Sequence, residues 1–455
     1  MRRLWVGNCD SEYMVHRRGL LDAAEHEGTP AVGARMVWLL RDGDALVLPQ
    51  PVDPVHLEAI GPLVGFDPAR VHILTPDDAA VRCLDQQQLH EPGLLARLRA
   101  LVRRPEEWEM RGYLHDRGLG SLARALGITG YAAFEEAGGA ELFNSKAVFG
   151  ALAAGVGVRV PDGALCATRG DLLRAVPRLL EATGAVIVKA DRNAGGAGNW
   201  LCRTDAGMPA AGAQQTLDLT GPEDLDVLIA ATGLEETHAP HGQFVAEAYH
   251  PYCRSLCVEI DCDPAHGTQP AVLNVGEMLM EPVWNGFLMP APLTPGPQQT
   301  ILEGALRLAA AMRAFGYRGL VNIDAIITPT GEVFFNEVNA RLGGCTHLHH
   351  LATRLLGPHW MRTHTLRARN DLPATSLPRL LEDLHIHQLA WNPHTGEGVI
   401  ITTDRTTLHR SVEYAVLAPT SERAIHLEHR LRTLQAGSAV GGYVPVRARA
   451  GTDLP

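Results

Sequence analysis

Lysine is nearly missing from this 455-residue chain: of its 40 basic residues only Lys146 and Lys189 are lysines, and the other 38 are arginines. So strong a bias fits a GC-rich genome that replaces lysine wherever arginine serves, so the two survivors mark positions where a guanidinium does not. A cationic surplus is missing as well. The formal net charge of −11 leaves no broad basic field to attract phosphates, which argues against a general nucleic-acid binder or a protein held on acidic membranes, while a local anion site stays open. No run of eighteen apolar residues occurs, so no membrane-spanning helix is expected. The chain turns polar directly after Leu4, Trp5 and Val6, so no secretory leader is expected behind Arg2 and Arg3. A CxxC pair is lacking too. Of the eight cysteines only Cys253, Cys257 and Cys262 lie close together, and they fall on expected strand. They read as reduced, buried small residues of a cytoplasmic protein, in preference to metal ligands or a disulfide.

What is present reads as an ordinary globular α/β chain, 46% hydrophobic and 20% charged, too long for a single core and expected to form two to four domains. Residues 1–140 suggest an α/β unit with strands at 4–6, 36–40, 45–48 and 71–74, a helical stretch up to residue 27 and another at 86–104, and short helices with glycine turns over 106–140. Gly7, Asn8, Cys9 and Asp10 follow the first strand. They suit a phosphate or a plain strand–helix turn, and the lack of a GxGxxG pattern favours the plain turn. Over 141–375 the pattern predicts helices at 144–154, 171–183, 223–232, 299–315 and 346–356. Strands are expected at 185–190, 243–249, 255–261 and 271–278, with a strand pair over 319–339. Residues 205–224 read as an irregular excursion and 281–297 as a proline-rich loop in which Asn285, Gly286 and the prolines shape an acceptor pocket. Composition shifts after Pro373, and 376–455 reads as a small α/β tail.

Three constellations carry chemistry. Residues 319–344 read as two strands joined by a tight turn at Pro329, Thr330 and Gly331. A two-residue loop places Asp324 opposite Glu337 and Asn322 opposite Asn339, and a four-residue loop keeps the same faces together. Directly opposed side chains have Cβ atoms about 4.5–5.5 Å apart, so two carboxylates there repel each other unless a cation lies between them, and hard oxygen ligands of this kind suit Mg²⁺. The second is Lys189, at the end of an apolar strand and followed by Gly195, Gly196 and Gly198, whose backbone can turn N–H groups toward a phosphate. The lysine precedes the glycines, so this is not a P-loop. The third is the apolar strand around Glu247, Ala248 and Tyr249, which suits adenine through its backbone and equally suits a half-buried edge strand. His347, His349 and His350 read as structural or substrate-side residues ahead of a zinc site, for want of a further ligand.

In this order the elements between residues 144 and 344 resemble the ATP-grasp superfamily: a helix lysine, a strand lysine with its glycine loop, a hinge strand with Glu247, and Asp324 with Glu337, Asn339 and the run Asn339, Ala340, Arg341, Leu342, Gly343, Gly344. The resemblance implies an ATP-grasp fold of the α/β (α+β) class over 141–375, with the nucleotide lysines and glycine loop in 141–243 and the hinge strand and metal part in 244–375. A Rossmann-like pre-ATP-grasp domain over 1–140 and a small C-terminal domain over 376–455 complete it. By the same resemblance Lys146 and Lys189 grip the phosphates of ATP, Gly195, Gly196 and Gly198 cover them, and Glu247, Ala248 and Tyr249 bind adenine. Asp324, Glu337 and Asn339 hold Mg²⁺, Arg341 and Lys189 act in catalysis, and Gly343 and Gly344 face the substrate. Arg254 stands where many relatives carry an acidic ribose ligand, so a substrate carboxylate is expected opposite it, with Asn285 nearby.

The implied activity is ATP-dependent joining of a carboxylate to an amine through an acyl phosphate. The substrates would be small molecules or peptides, without nucleic acid or membrane, in a monomer or homodimer. With its leader of Trp5, Gly7, Asn8, Cys9, Asp10 and Tyr13 and its small tail, the whole chain looks most like the pheganomycin-type peptide ligases of natural-product biosynthesis. A primary-metabolism amino-acid ligase, a phosphotransferase and a regulatory nucleotide-binding protein are the alternatives; the intact set of Asp324, Glu337, Asn339 and Arg341 argues against the last.

Overall fold

A computed structural model describes residues 1–15, 23–129, 133–193, 195–196, 198–221, 224–234, 243–263 and 265–438. Part of the helix expected before residue 27, and the tail beyond 438, lie outside the described residues. The strands form three sheets. The first holds β1 (Arg2–Val6), β2 (Ala45–Val47), β3 (His72–Leu74) and β4 (Trp108–Gly112) in the order β3-β2-β1-β4, all parallel. Parallel neighbours need helical crossovers that cover both faces of the sheet, and Val6, Ala45 and Val47 are accordingly buried with Leu94, Leu98, Leu119 and Leu122 from the helices Pro92–Leu101 and Arg117–Leu126. The turn after β1 is a structural knot. Buried Asn8 donates from Nδ2 to the Leu114 carbonyl (2.8 Å) and to Asp116 (2.9 Å), and Ser11 donates to the same carboxylate at 2.9 Å.

The second sheet comprises β5 (Gly163–Cys166), β6 (Ala185–Ala190), β7 (Trp200–Arg203), β8 (Gln215–Asp218) and β9 (Phe244–Ala248) in the order β5-β9-β6-β7-β8. The third has eight antiparallel strands: β10 (Arg254–Asp261), β11 (Ala271–Met280), β12 (Trp284–Met289), β13 (Leu320–Ile327), β14 (Val333–Asn339), β15 (Thr365–Pro373), β16 (Gly398–Arg405) and β17 (Ser411–Ala418). Their order is β14-β13-β10-β11-β12-β15-β17-β16. The two tail strands thus extend the sheet that carries the hairpin of interest.

Several local expectations are corrected. Residues 36–40 form no strand: 36–39 lie in a fully buried 3-10 helix, Arg35–Leu39, and Leu40 caps it; an unbroken apolar run is apolar on every side, and periodicity cannot tell a buried turn from a buried strand. Trp108–Gly112 is a strand with alternating burial where short helices and turns were expected. The proline-rich segment contains β12, paired to both β11 and β15, and the next helix begins at Pro295 in place of 299. β8 interrupts the irregular excursion. Among the described residues no helix is long and apolar enough to cross a membrane, and the eight cysteines form no disulfide with one another.

Candidate active site

The hairpin of β13 and β14 pairs Asp324 with Glu337 and Asn322 with Asn339, the register expected from the sequence. Its route there differs. The tip closes at Ile327 and Val333 around five residues, which would put the two acids on opposite faces, and a bulge at Asn336 shifts the register by one and brings them back together. A carboxylate pair therefore faces the cleft. Burial first, and then Glu337, push the Asp324 carboxyl up; burial is also the largest single influence on Glu337, but Lys146, Lys189 and Arg341 together outweigh it and hold that carboxyl down. Asn339 donates from Nδ2 to Asp324 at 3.1 Å and accepts from Nη2 of Arg341 at 2.6 Å. Mutually repelling, partly desolvated carboxylates beside an amide oxygen are a hard-oxygen donor set that a divalent cation relieves, so these residues fit Mg²⁺.

Both lysines arrive at this place by separate devices. Ser145 caps the helix Lys146–Gly155, accepting from Val148 N at 3.2 Å. The same helix start is fastened to Asp191, whose Oδ1 accepts from Ser145 Oγ (2.8 Å) and Ala147 N (2.9 Å). Asp191 directly follows β6, which ends in Lys189 and Ala190. One aspartate thus brings the two lysines to the same region. Lys146 Nζ lies 3.1 Å from Glu337, and Lys189 Nζ 2.6 Å from Glu247, with side chains 5% and 7% exposed.

The cleft beside them measures ≈ 530 Å³ and is walled by Lys189, Gly195, Gly196, Asp324, Glu337 and Arg341 among others; Lys146 is not among the lining residues and reaches the site through Glu337. Gly195, Gly196 and Gly198 hold φ of 64°, 83° and 69°, the left-handed region that glycine alone enters freely. A Cβ on Gly196 would stand 3.0 Å from Val283, so the loop rests on the segment leading into β12. Gly198 is not among the lining residues. The hinge needs a correction. The N–H of Ala248 donates to Asp162 O at 2.8 Å and that of Tyr249 to Ala185 O at 2.9 Å, so neither donor is available to adenine. Glu247 is engaged by Lys189, while the Tyr249 hydroxyl braces residues 209–211 through Pro209 O and Ala211 N. What these residues offer a base is an apolar slot between Ile187, Ala248 and Ile326.

Gly343 and Gly344 line the cleft with no room for side chains, since a Cβ would come within 2.4 Å of Asn322 and 2.5 Å of the Trp284 ring. Two expected substrate residues lie away from the cleft wall. Arg254 grips Glu277 with both Nε (2.9 Å) and Nη2 (2.7 Å) and donates to Pro292 O, outside the cleft wall. Asn285 donates to Glu281 (3.1 Å) and also lies outside it. A spacing-based reading places a residue on a strand but not its charge partner on the next one. His347, His349 and His350 are pushed by burial to about 3, about 4 and about 4, aided by Arg35 at His347, and are therefore neutral. Sequence reasoning missed Arg35, Trp284, Arg405 and Glu413, which line the cleft together with Asp10 of the turn after β1. No local motif marks them, and an arginine among 38 carries no signal of its own.

Comparison with known proteins agrees with this architecture. The Pre ATP-grasp domain family matches residues 33–128 and the PGM1 C-terminal domain family residues 379–431. Among solved structures, purK, an N5-carboxyaminoimidazole ribonucleotide synthetase in its ADP complex, superposes with a TM-score of 0.55 at 13% identity, covering 96% of either chain. An L-amino acid ligase from Bacillus licheniformis gives 0.54 at 13%, covering 95% of this chain and 97% of that one. A biotin carboxylase from Campylobacter jejuni gives 0.56 at 13%, covering 93% and 89%. The chain has an ATP-grasp fold preceded by a pre-ATP-grasp domain and followed by a C-terminal domain.

Proposed function

We propose that this protein is an ATP-dependent ligase that activates a carboxylate as an acyl phosphate and joins it to an amine, releasing ADP and phosphate. The observation that carries the reading is the convergence of the chain's only two lysines on the acid pair: Lys189, Asp324, Glu337 and Arg341 line one cleft, and Lys146 stands against Glu337 at 3.1 Å. The substrate carboxylate oxygen attacks the γ-phosphorus of ATP and the bond to the β-phosphate oxygen breaks. Lys146, Lys189 and Arg341 offset the negative charge as it spreads. Mg²⁺ held by Asp324, Glu337 and Asn339 supplies further charge neutralisation at the phosphates. The amine nitrogen then attacks the acyl carbon, phosphate leaves, and the amine gives up a proton. The glycine loop, resting on Val283, keeps water from the intermediate.

Within this class we favour a cytoplasmic peptide ligase of natural-product biosynthesis, on the resemblance of the whole chain to such enzymes. The test is incubation with ATP, Mg²⁺ and a panel of amino acids and peptides, followed by mass spectrometry and nucleotide analysis. An amide product with ADP and phosphate is expected; AMP and pyrophosphate would mean adenylation and refute the acyl-phosphate route.

A further inference from the structure

The end of the cleft away from Lys189 is built by the two ends of the chain. Arg35 enters from the 3-10 helix, Arg405 and Glu413 from the tail strands, and the Trp284 ring lies under Arg35, 5.2 Å from its guanidinium carbon. Glu413 takes Arg35 on both oxygens, from Nε at 2.8 Å and Nη2 at 2.6 Å. Arg405 is served less well. Its Nη1 stands 3.7 Å from the same carboxylate and donates a long 3.4 Å bond to Asn370 O, while its buried Nε has no hydrogen-bond partner among the described residues. Burial alone would raise Glu413, but Arg35 and then Arg405 bring its pKa down to about 2, so it is ionised. His347 beside it is neutral. Two guanidinium groups therefore share one carboxylate, and a half-compensated cation lines the cavity. A buried charge in that condition is costly until an anion completes it.

We propose that Arg405, beside the Arg35–Glu413 pair, binds a carboxylate of the amine-bearing acceptor, which is an amino acid or a peptide with a free C-terminus. This deepens the ligase reading and rests on it. The carboxylate that becomes activated is excluded from this seat, because it must meet the γ-phosphate near Arg341 and the acid pair. Tyr113 borders both ends: the Arg341 guanidinium lies 5.8 Å from its ring centroid, and Arg341 and Arg35 both act on its phenol. A small acceptor can thus place its amine toward Arg341 and its carboxylate at Arg405. Gly28 leaves the guanidinium open: a Cβ there would stand 3.7 Å from Arg405 Nη2 and 3.5 Å from His409 Nε2. Alanine fits at that distance, whereas a longer side chain covers the arginine.

The test uses full-length protein without nucleotide and a panel of glycyl dipeptides, one for each amino acid, as free acids and as the matching C-terminal carboxamides. Binding is read by ligand-observed NMR, with Mg-ATP binding and thermal melting measured in parallel. We expect the parent to prefer the free acids about tenfold or more, the size of a charge-assisted contact. Arg405→Gln should erase that preference while leaving carboxamide and Mg-ATP binding unchanged. Gly28→Leu should weaken the free acids and Gly28→Ala should not, which keeps the test decisive if the Arg405 variant fails to melt cooperatively. Equal or absent binding of acids and carboxamides in the parent, or a preference that survives Arg405→Gln, overturns the proposal. Failure of the parent to bind Mg-ATP would instead remove the ligase reading, since the acid–carboxamide comparison is made without nucleotide.

Discussion

Replacing Lys189 with arginine separates the shape of a cation from its charge. Lys189 lies at the end of a fully buried strand, its side chain 7% exposed and its ammonium 2.6 Å from Glu247. Arginine keeps the charge and can keep the ion pair, but its planar head is wider and longer than an ammonium. Overpacking of that size costs about 1–3 kcal/mol, which a domain of ordinary stability, about 5–15 kcal/mol, survives. Turnover should suffer more. A displacement of about 1 Å in the reacting groups costs on the order of a hundredfold, or about 2.7 kcal/mol of barrier. Lys189→Met is the contrast, because it leaves buried Glu247 without its cation and should cost about 3–5 kcal/mol of stability. The assay is steady-state ADP release, with ATP affinity and a denaturation curve for each variant. If Lys189→Arg turns over within a factor of a few of the parent, a compact ammonium is not required at this position, and the argument from lysine scarcity falls with it.

Asp324→Asn and Glu337→Gln should each fold and lose at least about a hundredfold in turnover, since charge stabilisation by a bound metal is worth several kcal/mol; near-normal ADP release in either folded variant would remove the proposed Mg²⁺ site. Glu413, 3% exposed and depressed to about 2, against about 4.3 unfolded, contributes stability that is present above the unfolded pKa and lost as pH falls from about 4.3 toward 2, about 3 kcal/mol in all. Denaturant titrations at stepped pH should show that fall in the parent and a shallower one in Glu413→Gln. Gly286→Ala should destabilise the protein by more than about 3 kcal/mol, as φ is 149° and the new Cβ would lie 1.9 Å from Ala368 O on β15; an unchanged denaturation midpoint would contradict this pairing of β12 with β15.

The parts of this protein that were legible in its sequence are those where chemistry is packed into one continuous stretch. β6 with its terminal Lys189, the acids of the β13–β14 hairpin and the alternation that turns them to one face all follow from local periodicity and turn chemistry. Even there the right pairing rested on a bulge at Asn336 that no spacing rule foresaw. The scarcity of lysine singled out Lys146 and Lys189 before any contact was known, yet their partners are Glu337 and Glu247, 191 and 58 residues away. Wherever the outcome depended on what a distant segment brought up, the sequence was silent or misleading. Arg254 looked available until β11 offered Glu277, the hinge N–H groups until Asp162 and Ala185 took them, and the run at 36–40 looked like a strand until packing on all sides wound it into a 3-10 helix. The far wall of the cleft, where Arg35 meets Glu413 378 residues later, exists only in the folded chain. Burial and charge pairing are decided by neighbours in space, and a sequence records only neighbours along the chain.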